Sequence, residues 1–192
     1  MASKAEVRDI DKGFKNLLKS TSLLKNSSTV VGVLSDAPPP EKGQMNMAKL
    51  AAIHEFGMTI PVTPKMKAWF FKAHGIRLKK TSITIPARPF MGQTFDRVRE
   101  DVFKKMSAII VRLGTQEKGG KENSASDVSR ELGLLGEWAI NEIKKTFDSG
   151  NFEPLSGFTK QNRIKGESGK PLQNTGRLKN SIAQRVELKG KK

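Results

Sequence analysis

The residues able to do chemistry are few, and their spacing is poor. His54-Glu55 begins like the helical motif of a zinc protease, but the position for the second histidine ligand, 58, holds methionine. His74, the only other histidine, has no visible partner either, and a packed or surface histidine is the ordinary reading of both. The chain contains no cysteine, which excludes disulfides, thiolate metal sites and cysteine nucleophiles. Gly114 to Lys121 and Gly166 to Lys170 mix glycine with lysine without the spacing of a phosphate-binding loop, and read as turns. The acidic residues are scattered, with no pair spaced for acid–base work. These observations argue against an enzyme, and no metal or cofactor is expected.

The remaining signal is charge. Among 192 residues there are 35 Lys and Arg against 19 Asp and Glu, a net charge of +16. Residues 151–192 carry +7 of it, so the C-terminal fifth is far more basic than the rest. Such a balance points to a polyanion or an acidic protein surface as partner. Base reading by stacking needs aromatics interleaved with the basic residues, and only Phe152 and Phe158 qualify in the basic segment. Contact with a nucleic-acid backbone, without base reading, stays open. Apolar runs such as Ala108 to Val111 are only four residues long, far below the ~20 residues of a membrane span. The N-terminus has no signal-peptide apolar region, so synthesis in the cytoplasm is expected.

Two groups of residues stand out by placement. Arg88 sits between Pro86 and Pro89 beside Phe90, a rigid corner that would aim a cation at a neighbouring subunit. Lys160, Arg163, Lys165 and Lys170 occupy a glycine-bearing loop, with Leu155, Leu172 and Leu178 spaced as anchors at its base. Thr175 precedes a tight turn at Gly176-Arg177-Leu178. With so few apolar groups the arm gains little by ordering alone, so it is expected to be mobile in the monomer and ordered in an assembly.

The elements that must hold these groups follow from hydrophobic periodicity. Residues 4–25 predict a helix with Val7, Ile10, Phe14, Leu17, Leu18 and Leu24 on one side. A strand follows at 29–35, then a proline-rich loop. Asn46 caps a short helix ending at Phe56-Gly57, 60–62 forms a brief edge strand, and Thr63-Pro64 starts a helix that stops at Gly75. Ser82-Ile83-Thr84-Ile85 alternates as a half-buried strand. The longest stripe begins at Phe95 and runs through Val98, Val102, Met106, Ile109 and Leu113, with Phe103 and Ile110 widening it. A second helix, capped by Ser126, carries Val128, Leu132, Leu135, Ala139, Ile143 and Phe147. A last strand is predicted at 181–188. The fold class is α+β, a single domain: one antiparallel sheet of about four strands containing 29–35, 81–86 and 181–188, packed on helices 90–113 and 126–148. Its parts are an N-terminal helix at 1–28, a core at 29–150, a basic arm at 151–180, and a final strand and tail at 181–192.

The order of these signals resembles that of neck and tail-completion proteins of long-tailed bacteriophages. Val30-Val31-Gly32-Val33 and Met47 to Gly57 are similar to one stretch of that family. Ile85-Pro86-Ala87-Arg88-Pro89-Phe90-Met91 is similar to its most recognisable motif, and Pro154-Leu155 with Lys170 to Ile182 to its C-terminal signature. The excursion at 60–86 is closest to the version called phage virion morphogenesis proteins. The resemblance spans residues 29–188. It implies a structural virion protein, not a catalyst, whose copies form a ring, commonly a hexamer, in the neck that joins tail to head connector. Implied partners are further copies of the chain, portal-side adaptor proteins and tail tube or terminator proteins. Genome DNA would pass through the lumen without sequence-specific binding, and no membrane is involved. The virion is the implied location after assembly in the host cytoplasm. Arg88, Pro89, Phe90, Leu155, Lys160, Arg163, Lys165, Lys170, Leu172, Thr175, Arg177 and Leu178 are the candidate assembly interface. The alternative is a basic nucleic-acid-binding protein acting through backbone electrostatics.

Overall fold

The computed structural model of the chain describes residues 14–34, 45–115, 123–161, 169–173 and 175–188. The expectations for Val7, Ile10, the proline loop, Arg163, Lys165 and the basic tail lie outside these residues. The class is α+β, with seven helices and four strands among the described residues. In order these are α1 (Phe14–Lys25), β1 (Ser27–Val33), α2 (Met47–Phe56), β2 (Met58–Pro61), α3 (Pro64–His74), β3 (Ser82–Ile85), α4 (Phe90–Thr115), α5 (Ala125–Ser149), α6 (Gly157–Gln161), α7 (Arg177–Asn180) and β4 (Ile182–Leu188).

Local signals placed several helix ends. The Asn46 side chain accepts from the Ala48 and Lys49 amides at the start of α2. Thr63 accepts from the Met66 amide ahead of Pro64, and Gly75, left-handed at φ 68°, closes α3. The start of α5 differs from expectation. Ser124, not Ser126, makes the reciprocal cap: its amide donates to the Asp127 carboxylate (2.9 Å) and its hydroxyl oxygen accepts weakly from the Asp127 amide (3.4 Å). An acidic residue three positions on closes a capping box only from position 124.

The expected sheet of about four strands is replaced by two small antiparallel sheets, β1 with β4 and β2 with β3. β3 pairs with the preceding β2 (Met58↔Ile85, Ile60↔Ile83), not with 29–35 or 181–188. One apolar face shows that a strand must be covered but not which partner it takes. The short excursion through α3 closes a smaller loop than any distant pairing, at lower entropic cost.

The described chain falls into two compact units, and β1, α4, α5 and β4 each contribute residues to both. In the first, Ile109 and Leu113 of α4 and Val128, Leu132 and Leu135 of α5 form the core, with Leu23, Leu24, Trp138 and Val186 packed around it. Burying each such side chain contributes roughly 1.5–3 kcal/mol before chain entropy is subtracted. Gly136 lets α5 lie close to β4: a Cβ there would sit 3.0 Å from the Gln184 side chain. Arg112 pairs with Glu131 at 2.6 Å, and the Asn123 amide donates to Ser20 Oγ and to the Leu113 carbonyl. Phe14, Leu17 and Leu18 of α1 are exposed, against expectation; Leu24 packs as expected, joined by Leu23.

In the second unit Phe90, Ile140, Ile143, Phe147, Leu172, Leu178 and Ile182 form the core. A polar seam runs beside it between the first turns of α4 and the last of α5. Thr94 donates to Thr146 at 2.7 Å, and Glu142 accepts from Arg97 and Lys145, both at 2.7 Å.

The long stripe of α4 needs correction. Phe95, Phe103 and Ile110 are exposed, while the buried row is Phe90, Thr94, Val98, Ile109 and Leu113. Steps of four residues advance about 40° around a helix, so a row starting at Phe90 leaves Phe95 to one side. Thr94 was invisible to an apolar pattern because its burial depends on hydrogen bonds to Phe90 and Thr146.

Candidate functional site

β3 ends at Pro86, which has no amide to continue a ladder, and the chain turns through Ala87 and Arg88 into α4. Gly57, at φ 74°, makes the turn possible. A Cβ there would lie 3.0 Å from both the Ile85 carbonyl oxygen and the Ala87 nitrogen. The Arg88 amide donates to the His54 carbonyl in the last turn of α2 (2.6 Å), which ties that helix to the corner. The Glu55 carboxylate then accepts from the first free amides of α4, from Met91 (2.9 Å) and Gly92 (2.8 Å). An anion placed there satisfies orphan donors and complements the helix dipole.

Arg88 itself points inward. It is only 5% exposed, and its guanidinium donates to the main-chain carbonyls of Glu153 (2.9 Å) and Pro154 (3.3 Å). The expected projection towards a neighbouring subunit is therefore corrected: Arg88 fastens the start of the basic arm to the corner. The planar guanidinium suits this, because its forked donors span two successive carbonyls. Phe90, 1% exposed, stacks at 4.7 Å from Phe147 and belongs to the core.

The arm's described parts are anchored as well. Leu172 and Leu178 are buried in the core, and Leu172 holds a left-handed backbone (φ 63°) that burial of its side chain must offset. Lys170, Gln173 and Lys179 gather at the C-terminus of α5. Lys170 donates to the Asp148 carbonyl (3.3 Å), Gln173 to that of Phe147 (2.6 Å), and Lys179 pairs with the Asp148 carboxylate (2.7 Å). Cations and donors at a helix C-terminus satisfy its free carbonyls. Phe158 of α6 rests on α3, 5.4 Å from the Phe70 ring and 5.1 Å from His74. Lys160 is exposed on α6, and Thr175 and Arg177 are exposed beyond Leu172.

These pieces surround one cleft of about 1710 Å³. Arg88, Leu155, Leu172, Thr175, Arg177 and Leu178 all line it, so half of the candidate interface residues meet there. Pro89, Phe90, Lys160 and Lys170 do not. His54 does, although sequence reasoning set it aside. Its Nδ1 is buried with no hydrogen-bond partner, and burial, then the Arg88 charge, holds its pKa below the ordinary 6.5. The sequence marks His54-Glu55 only as a broken zinc motif and as part of the stretch 47–57; the contacts they make, to Arg88, Met91 and Gly92, lie more than thirty residues away.

No family model, curated protein or solved structure matches the chain. No three His, Asp or Glu side chains cluster as metal ligands among the described residues. No helix among them is long and apolar enough to cross a membrane. What the arrangement offers chemically is a shaped, largely apolar surface with cations at its border.

Proposed function

We propose that the chain is a structural virion protein of a tailed bacteriophage, which forms a ring in the neck and joins the completed tail to the head connector. The observation that carries this reading is the meeting of the family-like segments at one place. The corner motif at 85–91 and the Pro154-Leu155 segment are over sixty residues apart, yet the Arg88 guanidinium donates to the Pro154 carbonyl and to that of Glu153 just before it. The C-terminal signature contributes Leu172, Arg177 and Leu178 to the same cleft. Segments that resemble one family and also support one another physically are what a shared assembly surface requires. Closed cyclic rings use head-to-tail interfaces, which suit an arm reaching the next subunit. Neighbouring copies, adaptor proteins and tail proteins are the proposed partners, with DNA passing through the lumen.

The net charge of +16 favours a second reading, a protein that grips nucleic-acid backbone. Part of that charge is engaged within the chain, since Lys170 and Lys179 hold the end of α5 and Arg97, Arg112 and Lys145 pair with glutamates. The test is a phage genome in which this reading frame is interrupted. The neck reading expects filled heads and finished tails that remain unjoined, restored by the protein in trans. Joined, infectious particles without it would overturn that reading. Tight DNA binding by the purified protein, falling steeply with salt, would favour the second.

A further inference from the structure

Every residue from Lys80 to Pro86 lines the cleft. Successive side chains of a strand point to opposite faces, so a surface touching all of them runs along the strand's edge. Hydrogen bonding fixes which edge. The Val62 amide donates to the Thr81 carbonyl, and the register continues through Ile60↔Ile83 and Met58↔Ile85. Main-chain groups of 81, 83 and 85 therefore face β2, and those of Ser82 and Thr84 face the cleft. The sheet ends at β3, so this edge has no paired strand among the described residues. Beside it lie apolar side chains, including Leu50, Leu78 and Leu155.

We propose that this edge takes an extended, acidic peptide segment of a partner protein as an added strand. Main-chain bonds to Ser82 and Thr84 would supply register, and the apolar walls would hold alternate side chains. Charge selects the occupant. Lys80 and Arg177 stand exposed at the border against one carboxylate, Glu153, and the whole chain is strongly positive. A basic segment of a second copy would be repelled, and an acidic one steered in. The proposal stands on this geometry and does not need the neck reading.

The test is selection of random ten-residue peptides on the full chain, followed by affinity measurement on Thr84→Pro. Proline there removes an amide that faces only the cleft, and edge positions tolerate it. Selected peptides should alternate apolar residues, carry Asp or Glu near their ends, and bind Thr84→Pro about tenfold more weakly at unchanged melting temperature. Should that variant lose its fold, the selected peptides N-methylated at alternate residues should show the same loss on the unmodified chain. Undiminished binding in these comparisons, or selection of basic or helix-forming peptides, would overturn the proposal. Self-association abolished by Thr84→Pro would also overturn it, by making a second copy the occupant.

Discussion

Arg88 carries more of the architecture than a surface arginine would. Its main-chain amide holds α2 and its guanidinium holds the chain at Glu153 and Pro154, so three segments meet at one residue. Arg88→Ala leaves those carbonyls without their charged donor and opens a cavity, for an expected loss of about 2–3 kcal/mol. Urea unfolding with amide exchange at 153–156 checks it. Unchanged stability and protection would return Arg88 to the surface. Glu142 makes a separate prediction. Hydrogen bonds from Lys145 and then Arg97 hold its pKa below the ordinary 4.5, although burial opposes them. A lowered folded pKa means that the unfolded chain binds the proton more readily. The stabilisation is therefore present above pH 4.5 and lost as pH falls through the folded value. Glu142→Gln should be less stable than the wild type at pH 7, with the gap closing in acid. A gap independent of pH would contradict the ion-pair account. His54 has the same sign at higher pH: its lowered pKa favours the fold above 6.5 and withdraws support below it.

Among the elements, the longer helices were legible; strand pairing was not, nor were the short α6 and α7, where a loop and a tight turn at Gly176-Arg177-Leu178 were expected. The caps at Asn46 and Thr63 and the stop at Gly75 are local, so neighbouring residue types specify them. The two long helices follow from stripes that continue over many turns. The partner of β3 depends on loop closure and on Gly57, whose role emerges only when the Ile85 carbonyl is seen 3.0 Å from its missing Cβ. Thr94 and Glu142 were also illegible, since a polar residue is admitted to the interior only by partners distant in sequence. The candidate site divides in the same way. Leu172 and Leu178 were readable as anchors, while Leu155 lines the cleft without entering the core, and the inward turn of Arg88 required knowing where Glu153 lies. Gly57→Ala tests the corner directly. Both the positive φ and the short contacts resist a side chain, at a cost of roughly 1–3 kcal/mol. Thermal unfolding at the wild-type temperature would show that the corner yields without strain.

For the whole molecule the central claim is assembly into the neck. The charge, the cleft and the anchored arm describe a surface suited to partners, and the resemblance supplies the class of assembly. On the proposed neck reading, Lys160 would meet either protein or genome phosphates. A neck must let DNA slide, which favours protein contacts. The most direct measurement is quantitative mass spectrometry of purified, genome-filled particles, with neck and tail fractions separated. The account predicts the chain at a fixed low copy number per particle, in a constant ratio to the portal protein and confined to the neck fraction. Its absence from the particles, or an amount that scales with DNA and washes off in salt, would contradict it.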